Sequence, residues 1–383
     1  MEINKLAKEC QLRKEKYIDA SIGVLKNNRH KIITFKVIEE LMKNNINNIT
    51  SNYSSILGSE EFNLKMCDWI FKRKINAYYS SGYVMGATAG LSFAFYKYSY
   101  NKMIVPSLRW PNYDLILKKN KVEFIEYELF DKRNRFNIYE IKKILEKNKE
   151  DISLLINDPC SNPTGYTLTI SEWENLLKVI KEESIQRKIT LILDLAYLDF
   201  SFTDYRKVFD LIEKNLSINF NAIICYSFSK SFSLYGYRGG LVIGLFCSNK
   251  EKEIFTNDLK FYIRSTWSSS NNLLTTVFVK IMKNRIYRKL IEIKQKQNKL
   301  LLKNRMDYFN KVADFYRINH YELNQGFFVF LKVVDANKTY DYLASKNIFV
   351  VPFENGIRIA ISSINKKEIL LILKEINNIN SVI

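Results

Sequence analysis

From residue 88 to residue 246 the chain alternates helical stretches with short apolar runs, and this alternation constrains the fold more than any other feature. The strand candidates are Lys102–Val105, Val122–Leu129, Ile152–Ile156, Thr190–Asp194, Ala222–Tyr226 and Gly240–Phe246. Helical patterns lie at Thr88–Tyr100, Ile138–Asn148, Ser171–Glu183 and Tyr205–Asn215. Strands alternating with helices predict an α/β fold with a mostly parallel sheet, because parallel neighbours need crossover connections. Leu191–Leu193 and Ile223–Cys225 are apolar at every position, as central strands covered on both faces should be. Ser171 and Glu174 have the spacing of a capping box, which predicts the start of the third helix there.

After about residue 250 the pattern changes. Asn271–Lys311 reads as one long helical stretch rich in Lys, Leu and Ile. Beyond it come Phe327–Val333, a helix near Lys338–Lys346, Phe349–Pro352, Gly356–Ile361 and a last helix from Lys366. This predicts a smaller α+β unit on a long connecting helix. The first ~45 residues are expected to pack with it, since chain termini often lie close together. The expected division is a large domain over 46–290 and a small one made of 1–45 plus 291–383.

Composition excludes several classes. At 47% hydrophobic and 14% aromatic residues there is ample material for a core, so wholesale disorder is ruled out. Only His30 and His320 exist, which excludes a His-rich metal site. The five cysteines show no C-x-x-C spacing, so neither a Cys-based zinc site nor a disulfide framework is expected, and the thiols suit a reducing compartment. The net charge of +19 comes largely from 44 scattered lysines rather than from a basic cluster with interleaved aromatics. A nucleic-acid partner is therefore not expected, although the charge would attract anionic small molecules. The opening segment MEINKLAKECQLRKEKY has no apolar run of the signal-peptide kind, and the longest clean apolar runs, such as Leu241–Cys247, are too short to span a bilayer. A soluble, cytoplasmic protein with no membrane contact is expected.

Glycine and proline are scarce, 12 and 5, so their positions are informative. Gly236, Gly239, Gly240 and Gly244 follow directly on Ser227-Phe-Ser229-Lys230-Ser-Phe. Pro159 and Pro163 bracket Cys160-Ser161-Asn162, with Gly165 just beyond, and Pro106 and Pro111 bracket Ser-Leu-Arg-Trp110. These clusters lie at the C-terminal ends of strand candidates, the edge at which open α/β sheets bind ligands. One strand there ends in Asp194-Leu-Ala-Tyr197, and the next runs into Ser227-Phe-Ser229-Lys230. A lysine at a strand end, among hydroxyls and near a carboxylate, can serve as a nucleophilic amine. Taken singly, Lys230 is one of many solvated lysines, Asp194 a turn or helix cap, and Asn162-Pro-Thr-Gly165 a turn. Their joint order and spacing is the specific signal.

In that order the motifs resemble the fold-type I, pyridoxal-phosphate-dependent aminotransferases, most closely the aspartate/aromatic enzymes of class I. The resemblance covers about residues 20–365. It is strongest in SFSKSFSLYGYRGG, where Arg238 follows Lys230 by eight residues, and in Asn162-Pro-Thr-Gly165 and Asp194-Leu-Ala-Tyr197. Weaker matches are Trp110-Pro-Asn112, Gly86-Ala87-Thr88, Tyr53 five residues before Gly58, Ile263-Arg264, Gln325-Gly-Phe-Phe and Gly356-Ile-Arg358.

The resemblance implies a mostly parallel seven-stranded sheet flanked by helices, with the smaller α+β domain beside it. It implies that Lys230 forms the internal aldimine with pyridoxal 5′-phosphate and later acts as general base. Asp194 would pair with the ring nitrogen, Asn162 and Tyr197 would bond the 3′-oxygen, and Trp110 would stack on the ring. Ser227, Ser229, Arg238 and the helix start at Ala87 and Thr88 would hold the phosphate, joined by Tyr53 of a neighbouring subunit. Arg358 would grip the α-carboxylate of an amino-acid or 2-oxo-acid substrate, and Arg264 a second, distal carboxylate. Ser21-Ile-Gly23 would close over substrate as a flap. A homodimer with shared sites and no metal is implied.

The chain departs from the family at telling positions. Tyr113 stands where a histidine normally follows Trp-Pro-Asn and supports the aspartate, and Asn157 and Ser161 replace histidines near the Asn-Pro-Thr-Gly turn. Arg264 is followed by Ser-Thr-Trp267-Ser-Ser-Ser instead of the usual Ser-Asn-Pro-Pro run. Ser227-Phe-Ser-Lys230 also matches the S-x-x-K pattern of serine acyl-enzymes, but the accompanying S-D-N and K-T-G motifs are missing. Fold-type I relatives also run β-elimination, decarboxylation or aldol cleavage, and a fold does not decide among these. Trp110, Arg264 and Arg358 together lean toward transamination.

Overall fold

The apolar runs before residue 250 join into one seven-stranded sheet in the computed structural model, which describes residues 6–380 apart from 8, 11, 14, 101 and 322–324. The ends of the expected small domain, 1–5 and 381–383, lie outside the described residues. In chain order the strands are β1 (Tyr78–Val84), β2 (Lys102–Pro106), β3 (Glu123–Tyr127), β4 (Ile152–Asn157), β5 (Ile189–Asp194), β6 (Phe220–Ser227) and β7 (Gly240–Phe246). Across the sheet they run β1-β7-β6-β5-β4-β2-β3. All neighbours are parallel except β7, which is antiparallel to β1 and β6. Every residue of β4, β5 and β6 is buried, so their unbroken apolar character follows from being covered on both faces. Register sets the functional edge: Asn157 pairs with Asp194, and Asp194 with Cys225, so the ends of three adjacent strands lie level.

Two expectations are corrected. The capping box lies at Thr169 and Glu172 rather than Ser171 and Glu174. The Glu172 N–H donates to the Thr169 hydroxyl at 3.2 Å, and the Thr169 N–H donates to the Glu172 carboxylate at 2.8 Å. The chain is still extended at Thr169 and turns helical at Ile170, so Ser171 already lies inside Ile170–Glu183, where its neighbours are paired. The stretch Asn271–Lys311 is not one helix but two, Asn272–Lys283 and Arg285–Phe315. Asn284 breaks it by accepting the N–H groups of Ile286 and Tyr287 on its side-chain oxygen, which caps the second helix.

Beyond residue 320, β8 (Phe328–Lys332), β9 (Val351–Phe353) and β10 (Gly356–Ala360) form an antiparallel sheet in the order β9-β10-β8. Ile18–Asp19 pairs in parallel with Ile348–Phe349, which ties the N-terminal segment to this part of the fold. The helix Arg285–Phe315 begins in the core under the large sheet at Ile291 and reaches the core around the small sheet at Met306, Phe309 and Ala313. The C-terminal edge of the large sheet faces β10 and the N-terminal segment, and the cleft between them holds the conspicuous polar residues.

Candidate active site

β6 ends at Ser227, whose hydroxyl accepts the Ser229 N–H at 3.2 Å and so starts the one-turn helix Phe228–Ser231. That turn presents Lys230, a half-buried lysine, to the cleft. Its Nζ donates to the Gly23 carbonyl at 2.6 Å and lies 5.0 Å from the centre of the Tyr235 ring and 5.9 Å from that of Tyr197. Burial, with the positive charges of Arg358 and Arg238 adding to it, pushes the Lys230 pKa down to about 7. The amine is thus close to half neutral at neutral pH, and the neutral form is the nucleophile.

Asp194 closes β5. One of its oxygens accepts the Tyr113 hydroxyl at 2.6 Å, and the other accepts the Ala196 N–H at 3.0 Å. Burial raises its pKa to about 6, while these two donors oppose the rise. At the end of β4, Asn157 donates to the Asp194 carbonyl at 3.1 Å and accepts the Asn162 N–H at 2.7 Å. The side-chain oxygen of Asn162 in turn accepts from Arg358 at 2.9 Å. Arg358 is buried in β10, donates its other terminal nitrogen to the Ser21 carbonyl at 2.7 Å and lies over the Phe328 ring. It makes no ion pair among the described residues, and its Nε has no partner. Burial lowers its pKa to about 10. A buried cation whose acceptors are all neutral is suited to an incoming carboxylate.

Arg238 donates to the Ser229 hydroxyl at 3.2 Å and to the Tyr235 carbonyl at 3.0 Å. Its guanidinium lies against Gly86, which opens the helix Ala87–Tyr98 with φ +81. A Cβ at Gly86 would lie 2.7 Å from Arg238 Nη2, so any other residue would force the guanidinium away from the helix start. Free N–H groups and a fixed cation together form an anion cradle, with the Ser227 and Ser229 hydroxyls beside it.

A cavity of about 330 Å³ brings together ten of the residues to which the resemblance gives a role, Ala87, Thr88, Trp110, Asn162, Asp194, Tyr197, Ser227, Ser229, Lys230 and Arg238, and with them Asn112, Tyr113 and Asn157. Arg358 and Ser21 adjoin it through the bonds to Asn162 and Ser21 just described. Tyr53 and Arg264 do not belong to it. Tyr53 is 87% exposed on a loop, and exposed Arg264 donates to the Ser268 hydroxyl at 3.0 Å. The sequence reading missed Tyr235, which lines the cavity and whose hydroxyl accepts the Leu25 N–H at 2.8 Å. Its position between Lys230 and Arg238 was the available signal. The cavity thus offers a reactive amine, an anion cradle and a buried carboxylate suited to a cationic ring nitrogen.

A family model described as "Aminotransferase class I and II" matches residues 15–376. The mitochondrial aspartate aminotransferase of Saccharomyces cerevisiae is 27% identical over 257 residues, 58% of this chain and 55% of that protein. The tyrosine aminotransferase of Rhizobium meliloti is 27% identical over 160 residues, 42% of this chain and 40% of that protein. The chain thus spans about half the length of these curated relatives or less. Among solved structures, an aminotransferase from Anaerococcus prevotii has a TM-score of 0.93 at 26% identity, covering 99% of this chain and 95% of that one. An aromatic-amino-acid aminotransferase from Burkholderia pseudomallei, covalently bound to pyridoxal phosphate, shares the fold with a TM-score of 0.83 at 18% identity, covering 98% of this chain and 95% of that one.

Proposed function

The chain belongs to the class I and II aminotransferases, and we propose that it is a pyridoxal-5′-phosphate-dependent enzyme that moves an amino group between an amino acid and a 2-oxo acid. The observation that carries this reading is Lys230, a lysine of lowered pKa set between an anion cradle and a buried carboxylate in one cavity. The donor set fits the cofactor: Arg238, Ser227, Ser229 and the N–H groups at Ala87 and Thr88 hold the phosphate, and Asp194 holds the proton on the ring nitrogen. When bound, the cofactor supplies an aldehyde carbon for amines and a ring that accepts electrons. Asn162 and Tyr197 would bond the 3′-oxygen, and Trp110 would cover one ring face. Lys230 would be the point of covalent attachment, and its free amine would be placed to take the proton from the substrate Cα.

Arg358 takes the α-carboxylate in a bidentate grip, for which it gives up the Ser21 carbonyl. The segment Ser21–Gly23 then closes on the bound substrate. Tyr53 reaches the phosphate, and Arg264 a distal carboxylate, of the partner subunit's site in a homodimer. Aspartate, glutamate and aromatic amino acids are the proposed donors, and the cytoplasm the proposed compartment. The proposed division is a large domain at 46–290 and a small one at 1–45 plus 291–383; Ile18 and Ala20 in the core around the small sheet favour it, whereas Phe35, Ile38 and Met42 pack into the core under the large sheet. An absorbance titration tests the reading. Apoprotein given pyridoxal phosphate should develop a bound-cofactor band that glutamate, aspartate or phenylalanine bleaches. Protein that binds the cofactor but responds to no amino acid would rule out transamination of these donors.

A further inference from the structure

We infer that Tyr113 is a positioning residue for the cofactor's ring nitrogen, acting through Asp194. The inference rests on the reading of this cavity as a pyridoxal phosphate site. Tyr113 lies in the first turn of the helix Asn112–Asn120, and its side chain is wholly buried. Its ring stands edge-on to Trp110, with centroids 5.4 Å apart and an interplanar angle of 85°, and packs against Phe95 at 6.2 Å. Its hydroxyl donates to one Asp194 oxygen at 2.6 Å, while the Ala196 N–H holds the other at 3.0 Å. The carboxylate is therefore aimed from two sides, by its own loop and by the helix that follows β2. The same tyrosine buttresses the indole proposed to cover the ring.

The chemistry of this donor differs from that of an imidazole. The phenol has one proton to give, and burial beside the Asp194 carboxylate holds its pKa well above the ordinary tyrosine value. It therefore stays a donor throughout the working pH range and does not compete as a base for the ring proton. The other groups around Asp194 that could carry charge, Tyr197 and Cys225, are buried with raised pKa values and stay neutral. No cation pairs with the carboxylate among the described residues. Tyr113 thus favours the ionised form of Asp194 and fixes its direction, without adding a cation that would compete with the ring nitrogen.

Two ligands and one variant test this. Wild-type and Tyr113→Phe apoproteins are titrated with pyridoxal phosphate and with its analogue carrying carbon in place of the ring nitrogen. The variant keeps the ring that packs on Trp110 and Phe95, and its apoprotein should melt within a few degrees of wild type. Loss of one hydrogen bond to a charged acceptor should raise the Kd for pyridoxal phosphate about tenfold or more, yet leave the Kd for the analogue unchanged. Equal weakening of both ligands, or of neither, overturns the inference. If wild-type protein binds neither ligand, the cofactor reading itself has failed, and the inference falls with it.

Discussion

Burial lowers the pKa of Lys72, Lys230 and Lys299, and of these three Lys230 lines the cavity. A solvated lysine near pKa 10.4 is about 0.04% neutral at pH 7, whereas Lys230, with its pKa at about 7, is roughly half neutral. Brief exposure of apoprotein to pyridoxal phosphate at pH 7.5, then borohydride reduction and peptide mapping, should place the label on Lys230. The labelling rate should rise with pH through about 7 and level off, because only the neutral amine attacks. A rate still climbing at pH 9 would mean that the amine is not desolvated. The two arginines should separate by substrate. Arg358→Ala should lower kcat/KM for every donor by about 30-fold to several-thousand-fold, the cost of losing one partner of a buried ion pair. Arg264→Ala should lower it for aspartate and glutamate only, and an equal loss with phenylalanine would refute the distal-carboxylate role. At this scale the sequence was informative wherever residue type and order met, as in Asp194, Lys230 and Arg238. It was silent where a role depends on three-dimensional contact alone. Tyr113 is a partial exception: the resemblance places it where a histidine supports the aspartate, but that a phenol makes the bond, across 81 positions, is visible only in the structure. The carbonyls of Ser21 and Gly23, which hold Arg358 and Lys230, are backbone groups that any residue would supply.

The elements hold these residues through their ends. Strands β4 to β6 were legible because double burial leaves an unbroken apolar run. β1 was not, because Tyr-Tyr-Ser-Ser-Gly-Tyr-Val lies at the sheet edge, half exposed at its start, and carries little apolar signal. The break at Asn284 escaped notice because neither Gly nor Pro marks it, and apolar spacing runs on through both helices. The helix Ala87–Tyr98 was seen, and its start makes the sharpest prediction at this scale. Gly86 adopts a backbone conformation that L residues rarely reach, and its missing Cβ is the space into which Arg238 fits. Gly86→Ala should therefore cost about 1–3 kcal/mol from backbone strain, read as a lower Tm of the apoprotein. It should also push the Arg238 guanidinium off the cradle, weakening pyridoxal phosphate much more than pyridoxal, which lacks the phosphate. Equal affinity loss for both ligands would mean that the cradle does not hold the phosphate.

Across the whole molecule, the cavity is completed by contacts between parts far apart in sequence, so its geometry depends on how the two cores sit together. Arg358 on the small sheet reaches Asn162 in the turn that follows β4 of the large one, and Ser21 and Gly23 in the N-terminal segment reach Arg358 and Lys230. Tyr53 and Arg264 stand apart from this convergence. Both are exposed, Tyr53 near the exposed apolar Ile46 and Ile49, and Arg264 on a helix with exposed Phe261. Large apolar side chains left in solvent beside these two polar side chains suit a surface covered by a second copy of the chain. The resulting prediction can be read in mixed dimers. Lys230→Ala protein and Tyr53→Phe/Arg264→Ala protein should each be weakly active toward aspartate alone. After unfolding and refolding together, each heterodimer should contain one site with native Lys230 and a partner's native Tyr53 and Arg264. Random association makes about half the dimers mixed, so about a quarter of wild-type activity should return. Demonstrated heterodimers with no recovery would mean that each site is built within one chain, and Tyr53 and Arg264 would then have to act, if at all, by folding toward their own cavity.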